Sequence, residues 1–403
     1  MWRRGKRIFK MATISKHVFE SACADQTCSH MLHPWNESCI WSLPETYRHA
    51  IVGSSKFYAI VYMAQLLMHM KKLHKKYTWM KMGEYYIRST LLGAGVAGTL
   101  ITIGCVLRKL QGDKIRYSTF MLLPFTLNGL FIYLEPPGRR TLVINLFFNL
   151  LVEYYLRKLQ RAGYLKLTKS KQTLLFMIGS SLLFYLMRLE GEKEKRTPLF
   201  WLFTPEKVRR KSDGSNNVCP HEGSCERHIL KGIGTYFGIG FAISLARLLL
   251  PKIRTPLKAL STINRKNFKM ALFFGSYIGI YRAVICYLCR KRGYDSAEYA
   301  LPAGYLSGLS ILFNPSLGMS IAAATGAMKL YSTILYEKKI LPENIPLPEM
   351  LYCFCQGTLF NARYMDPDIC PGYIFNLMRS VSNGCSEVVD KHMMEAIKKT
   401  AGV

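Results

Sequence analysis

The sequence predicts an all-α, polytopic membrane helical bundle made of two related halves, with a polar N-terminal region that carries Cys and His. Three observations predict it. Apolar and charged residues are segregated, the apolar runs approach membrane length and are studded with glycine, and the runs recur at an offset of about 180 residues.

Half of the 403 residues are hydrophobic while 20% are charged, and the mean hydropathy is still +0.08. Those values coexist only if apolar runs alternate with short, strongly basic loops. The net charge is +30, from 55 Lys+Arg against 25 Asp+Glu. The cations flank apolar runs, as in Lys71, Lys72, Lys75 and Lys76, or Arg157, Lys158 and Arg161. Such placement suits anionic lipid head groups and topology control. No RNP-like, zinc-finger or helix-turn-helix pattern is present, so lipid and not nucleic acid is the expected partner. The first residues lack an apolar core followed by small residues, so no cleavable signal peptide is expected. Met1–Lys10 reads as an extension ahead of a second start at Met11.

Residues 1–50 are polar. Apolar segments follow at 51–69, interrupted by Lys56, and at 85–107, with Gly93, Gly95, Gly98 and Gly104. Others lie at 117–134, broken by Pro124, at 141–156, closing with Glu153, and at 173–187. This last run is only about three quarters of a full span. After a basic polar linker, runs resume at 230–250, 268–289, 300–313 and 316–336, with a weaker one at 351–362. The tail reads as one short amphipathic helix ending in Lys398 and Lys399. The organisation is therefore an N-terminal region 1–50, a first membrane repeat 51–188, a linker 189–229, a second repeat 230–365 and a tail 366–403. Gly275 with Gly279, and Gly304 with Gly308, have the small-xxx-small spacing that lets membrane helices approach closely.

The halves align sparsely but repeatedly. Gly98, Cys105 and Arg108-Lys109 line up with Gly279, Cys286 and Cys289-Arg290-Lys291. Pro124 meets Pro302, Pro136-Pro137 meets Asn314-Pro315, and Gly53 meets Gly232. Five segments per repeat would invert the second copy if every one crosses, the arrangement of many secondary transporters. Basic clusters at 70–81, 108–116, 157–171 and 251–269 fall on alternating faces of a full-crossing arrangement, so they do not choose an orientation.

Two Cys/His clusters stand out. The first is Cys23, Cys28, His30, His33 and Cys39. The second is Cys219, His221, Cys225 and His228, spaced C-x-H-x3-C-x2-H. Thiolates and imidazoles at such spacing can close a tetrahedral zinc site, although neither cluster matches a standard finger. A disulfide and plain polar loop residues are the alternatives. No resident cofactor is expected beyond such a structural zinc. Cys286 and Cys289 form a C-x-x-C on an apolar segment and read as packing thiols, since the strand-to-helix turn of a redox site is absent. Charges inside apolar runs are costly and so mark candidates for function. Arg282 lies mid-segment; with Glu153 and Arg247 it is a candidate lipid or anion contact, and a pair with Glu153 is one expectation. Lys56, Arg88 and Lys329 also lie within runs; Arg88, Glu153 and Lys329 are near ends where snorkelling suffices. There is no G-x-S-x-G, Walker loop or H-E-x-x-H, so no enzyme is expected.

Taken together, Ile14-Ser15-Lys16, Cys28, His33-Pro34 and Ser38-Cys39 resemble the N-terminal Cys-rich motif of the transmembrane protein 135 family. Cys219-x-His221 ahead of an apolar run adds to this. So do Asn264-Arg265-Lys266-Asn267-Phe268 leading into Phe274-Gly275-Ser276 and Ile280-Tyr281-Arg282, then Ala303-Gly304 and Gly308-Leu309-Ser310. The resemblance covers most of the chain from about Met11 to 345 and departs beyond about 365. It implies a multi-pass peroxisomal or mitochondrial membrane protein linked to lipid metabolism and mitochondrial fission. It also implies kinship with Tim-type translocase subunits and small peroxisomal membrane proteins. It transfers no catalytic residue and no ligand role. The expected function is therefore non-enzymatic action in organelle lipid metabolism and dynamics. One alternative is a conduit for a lipid or organic anion built on inverted repeats. The other is a scaffold that recruits organelle-dynamics proteins through the basic 188–229 loop.

Overall fold

The computed structural model describes residues 13–68, 76–189, 203–209, 218–249, 261–342 and 344–401. The extension 1–10, much of the basic linker and parts of the basic runs at 70–81 and 251–269 lie outside them. Among the described residues there are fourteen α-helices and no strand. The chain divides into two compact units: unit 1 comprises 1–158 and 346–403, and unit 2 comprises 159–345.

Four helices among the described residues are long and apolar enough to cross a membrane: Trp79–Leu110, Lys169–Leu189, Cys225–Leu249 and Arg265–Arg292. They coincide with the apolar runs at 85–107, 173–187, 230–250 and 268–289. The segments at 117–134 and 300–313 are not continuous α-helices. Their prolines and glycines break them into short pieces.

In unit 1, α1 (Lys16–Cys23) and α2 (Cys28–Met31) precede a long hairpin of α3 (Ser42–Met68) and α4 (Lys76–Leu110). A β-carbon on Gly98 would stand 2.6 Å from the Tyr47 ring, and one on Gly93 would stand 2.7 Å from Ser54 Oγ. Those pairings show that the two helices run antiparallel, held close by small residues. A broken segment follows: a π turn Ser118–Leu122, α5 (Leu123–Leu127) and a 3-10 stretch Asn128–Leu134. Next come α6 (Pro137–Arg161) and, from the far end of the chain, α12 (Leu347–Met365), α13 (Gly372–Val381) and α14 (Cys385–Ala401). Breaking a helix frees backbone groups that an apolar core cannot leave unpaired. Gln356 Nε2 of α12 therefore donates to the Phe125 carbonyl at 2.9 Å and to Asn128 Oδ1 at 2.8 Å, while Asn128 Nδ2 donates to the Val96 carbonyl at 2.7 Å. Phe125 packs on Phe360 and Phe147 on Tyr352, at ring separations of 4.8 and 5.0 Å. The tail is two helices, not one. Asn383 at φ 50° and Gly384 at φ 92° form the turn between them, and Val389, Met393 and Ile397 are buried in the core.

Unit 2 contains α7 (Lys169–Leu189), α8 (Cys225–Leu249), α9 (Lys269–Arg292), α10 (Ala300–Ser307) running into the 3-10 stretch Gly308–Phe313, and α11 (Leu317–Glu337). α8 and α9 form an antiparallel hairpin in which Gly240 meets the Ala271 backbone and Gly232 meets Arg282. Gly275 and Gly279 both face α8, at Phe237 and Ile233. Gly304 and Gly308 both press on the α7 backbone, at Ser180 and Met177. Each small-xxx-small pair thus lies at a helix contact. Ser181 Oγ of α7 donates to the Leu301 carbonyl at 2.8 Å, serving the broken segment as Gln356 does in unit 1. α7 belongs to unit 2, and α12, which is not among the four membrane-length helices, belongs to unit 1.

Candidate metal centre

Residues 218–224 form a short loop before α8. Gly223 sits at φ 77°, a left-handed conformation that a side chain resists. Ser224 follows, and its Oγ accepts from the Arg227 N–H at 3.4 Å, capping α8. The reversal brings Cys219 and Cys225 together, with their Sγ atoms 3.7 Å apart. His221 lies between them and turns towards α9, where its Nε2 is 3.3 Å from Cys286 Sγ. Its Nδ1 faces the Glu222 carbonyl at 3.2 Å, the outer contact that orients a ligating imidazole.

One ligand atom from each of Cys219, His221, Cys225 and Cys286 lies within 4.8 Å of the other three, and all four residues are buried. A zinc ion with bonds of about 2.3 Å to sulfur and about 2.0 Å to nitrogen sets neighbouring ligand atoms about 3.5–3.8 Å apart. The two measured separations lie at or just below that range, so the donor set fits a tetrahedral Cys3His ion. Among the described residues every cysteine is free. Burial pushes the Cys219 thiol up, Cys225 adds to this, and Arg290 pulls the other way. Burial holds His221 below the ordinary imidazole value, which favours the neutral ring that binds metal.

His228 is placed differently from the other three residues of its sequence cluster. Its ring stacks on His221 at 4.1 Å, and its Nε2 meets Glu206 Oε1 at 3.3 Å. The fourth donor is Cys286, which sequence reading treats as a packing thiol. The signal was present in the alignment of Cys286 with Cys105, each on a glycine-rich run that follows a Cys/His cluster. The C-x-x-C divides its work: Cys289 Sγ donates to Asp295 Oδ1 at 3.3 Å, and Asp295 pairs with Arg188 at 2.5 Å.

Arg282 is drawn into the same neighbourhood. Its Nη2 meets Glu206 Oε1 at 3.0 Å and its Nη1 donates to the His228 carbonyl at 2.9 Å. Its acidic partner is Glu206, while Glu153 pairs with Arg157 on its own helix. Burial would raise the Glu206 carboxyl, but the His228 hydrogen bond and the Arg282 charge outweigh it and hold the group below the ordinary carboxylate value. Arg247 is exposed in the last turn of α8, the position of a snorkelling cation.

Residues 25–159 match the family model of the N-terminal cysteine-rich region of Transmembrane protein 135. No solved structure matches the chain. The matched segment takes in Cys28, His30, His33 and Cys39 of the first Cys/His cluster, all of the α3–α4 hairpin and the apolar span Trp79–Leu110. Over residues 25–159 the chain is similar to the cysteine-rich region of the transmembrane protein 135 family, and with its membrane-length apolar helices it is a membrane protein.

Proposed function

We propose that this chain is a non-enzymatic, multi-pass protein of the peroxisomal or mitochondrial membrane that acts in organelle lipid metabolism and mitochondrial fission, with a structural zinc at Cys219, His221, Cys225 and Cys286. The observation that supports a structural rather than a catalytic zinc is the donor set: four buried protein donors converge, whereas a catalytic zinc keeps one position for water or substrate. Such an ion clamps the pre-membrane loop to α9 and fixes the unit mechanically. The organelle part rests on what the resemblance to the transmembrane protein 135 family implies, and the lipid part also on the excess of cations around apolar helices, which suits anionic head groups. The conduit alternative draws on Arg282, whose guanidinium is already engaged by Glu206, so nothing in the geometry favours it. Of the loop invoked for scaffolding, 190–202 and 210–217 lie outside the described residues.

The test is complementation. Cells lacking the chain receive the wild type or Cys286→Ser, matched for expression. Peroxisomal lipid composition and mitochondrial length are then measured beside the tagged protein's location. The proposal expects organelle-membrane localisation, rescue of both readouts by the wild type and loss of rescue by the variant. Localisation elsewhere, or rescue of neither readout by the wild type, refutes it.

A further inference from the structure

The other Cys/His cluster belongs to unit 1, and none of its residues takes part in the site above. α2 starts at Thr27, whose Oγ1 accepts from the His30 N–H at 3.2 Å. A tight turn follows: the His33 N–H donates to the Cys28 carbonyl at 3.2 Å, Asn36 to that of His33 at 3.1 Å, and the Ser38 N–H to Asn36 Oδ1 at 3.0 Å. This turn folds Cys39 back on Cys28, with the Sγ atoms 3.1 Å apart. The helix α4 brings Cys105 to the same place. Its neighbour Gly104 makes the approach possible, since a β-carbon there would stand 2.8 Å from Leu32 Cδ1. One donor atom from each of Cys28, His33, Cys39 and Cys105 lies within 4.8 Å of the others.

His33 supplies an independent observation. The residue is fully buried, at 0% exposure. Its Nδ1 contacts the Asn36 carbonyl at 2.8 Å, a contact that requires the hydrogen on Nδ1 and leaves Nε2 as the free lone pair. Nε2 is itself buried and has no hydrogen-bond partner among the described residues. A buried acceptor in that state is unfavourable, and a metal ion would remove the cost. Plain packing explains Cys23, which is buried in the same core and outside the donor group. It does not explain an unpartnered imidazole nitrogen beside three converging thiols.

The same plan recurs in unit 2. In both units the segment leading into a helical hairpin supplies Cys, His and Cys in that order, and the second, glycine-rich helix of the hairpin supplies the last Cys. A zinc ion with three thiolates and a neutral imidazole carries one net negative charge. One helical turn beyond the last Cys stands a cation in each case, Lys109 after Cys105 and Arg290 after Cys286. We infer that Cys28, His33, Cys39 and Cys105 form a second Cys3His site for zinc(II), which clamps the segment ahead of α3 to the membrane helix α4.

The experiment measures zinc per chain in full-length protein purified in detergent under reducing conditions. Metal is read by plasma mass spectrometry and protein by amino-acid analysis. The inference rests on the zinc reading of the first site only by analogy, and the variants separate the two. Wild type should hold two zinc ions, Cys105→Ser one, Cys286→Ser one, and the double variant none. His33→Cys, which replaces one ligand by another, should keep the metal that His33→Ala loses, at equal helicity by circular dichroism; this separates ligation from misfolding. A Cys105→Ser protein with the wild-type zinc content overturns the inference, as does a Cys28–Cys39 disulfide found by peptide mapping in place of metal. If Cys105→Ser loses one zinc while Cys286→Ser loses none, the second site stands and the first falls.

Discussion

Cys286 Sγ lies 3.3 Å from His221 Nε2, so a residue inside a membrane-length helix touches a residue of the loop that precedes the neighbouring helix. The two are 65 positions apart in sequence. Closing such a loop costs chain entropy, and one coordinated ion offsets that cost more strongly than packing of small thiols.

Removing one ligand should loosen unit 2 without unfolding its helices. Cys286→Ser is expected to lower the thermal midpoint in detergent by about 5–10 °C. The same fall should appear when the wild type is stripped with a strong chelator, and the chelator should change the variant less. Scanning fluorimetry with and without chelator reads both.

The Arg282–Glu206 pair should behave as a buried ion pair. Glu206→Ala leaves Arg282 with a side chain only 15% exposed and no acid opposite it, and should cost about 3 kcal/mol. Arg282→Met combined with Glu206→Gln should cost less than the sum of the single changes, because neither charge is then stranded. A double-mutant cycle in a reversible detergent unfolding assay measures the difference, and additive costs would argue against the pairing.

Acid should weaken the same pair. The Glu206 carboxyl is held below its unfolded value of about 4.3, so its contribution is complete above that pH and is lost as the pH falls towards the folded value. Between about pH 5 and 3 the wild type should therefore lose more stability than Glu206→Gln. Thermal midpoints at closely spaced pH values give the comparison.

Glycine substitutions should separate packed from open positions. A β-carbon on Gly304 would stand 2.7 Å from the Ser180 carbonyl oxygen, so Gly304→Leu should cost about 2 kcal/mol or more. Gly234 has nothing within 4 Å, and Gly234→Ala should be neutral or stabilising by about 0.5–1 kcal/mol. Equal effects at the two positions would mean that α10 does not pack on α7 as closely as described.

Helices whose signal is local were legible in the sequence. The four membrane-length helices follow apolar runs, and Gly304 and Gly308 could be marked as contact residues from their spacing alone. Pro124 marks the break in 117–134, but 300–313 reads as one run, and the 3-10 and π turns of both depend on partners such as Gln356 and Ser181, which are distant in sequence. The tail reads as a single helix because the Asn383-Gly384 turn lies inside an amphipathic pattern. At the metal site, Cys219, His221 and Cys225 could be read from spacing. Cys286 could not, because a ligand contributed by another helix shows no local spacing. His228 satisfies the spacing yet turns to Glu206, since it lies on α8 while its cluster partners Cys219 and His221 lie in the loop.

The measurement that bears most directly on the central claim is X-ray absorption at the zinc edge of the purified full-length protein. Coordination by three sulfurs at about 2.3 Å and one nitrogen at about 2.0 Å is the result expected of Cys3His centres. A shell of light atoms alone, or protein that carries no zinc when purified under reducing conditions, would contradict it.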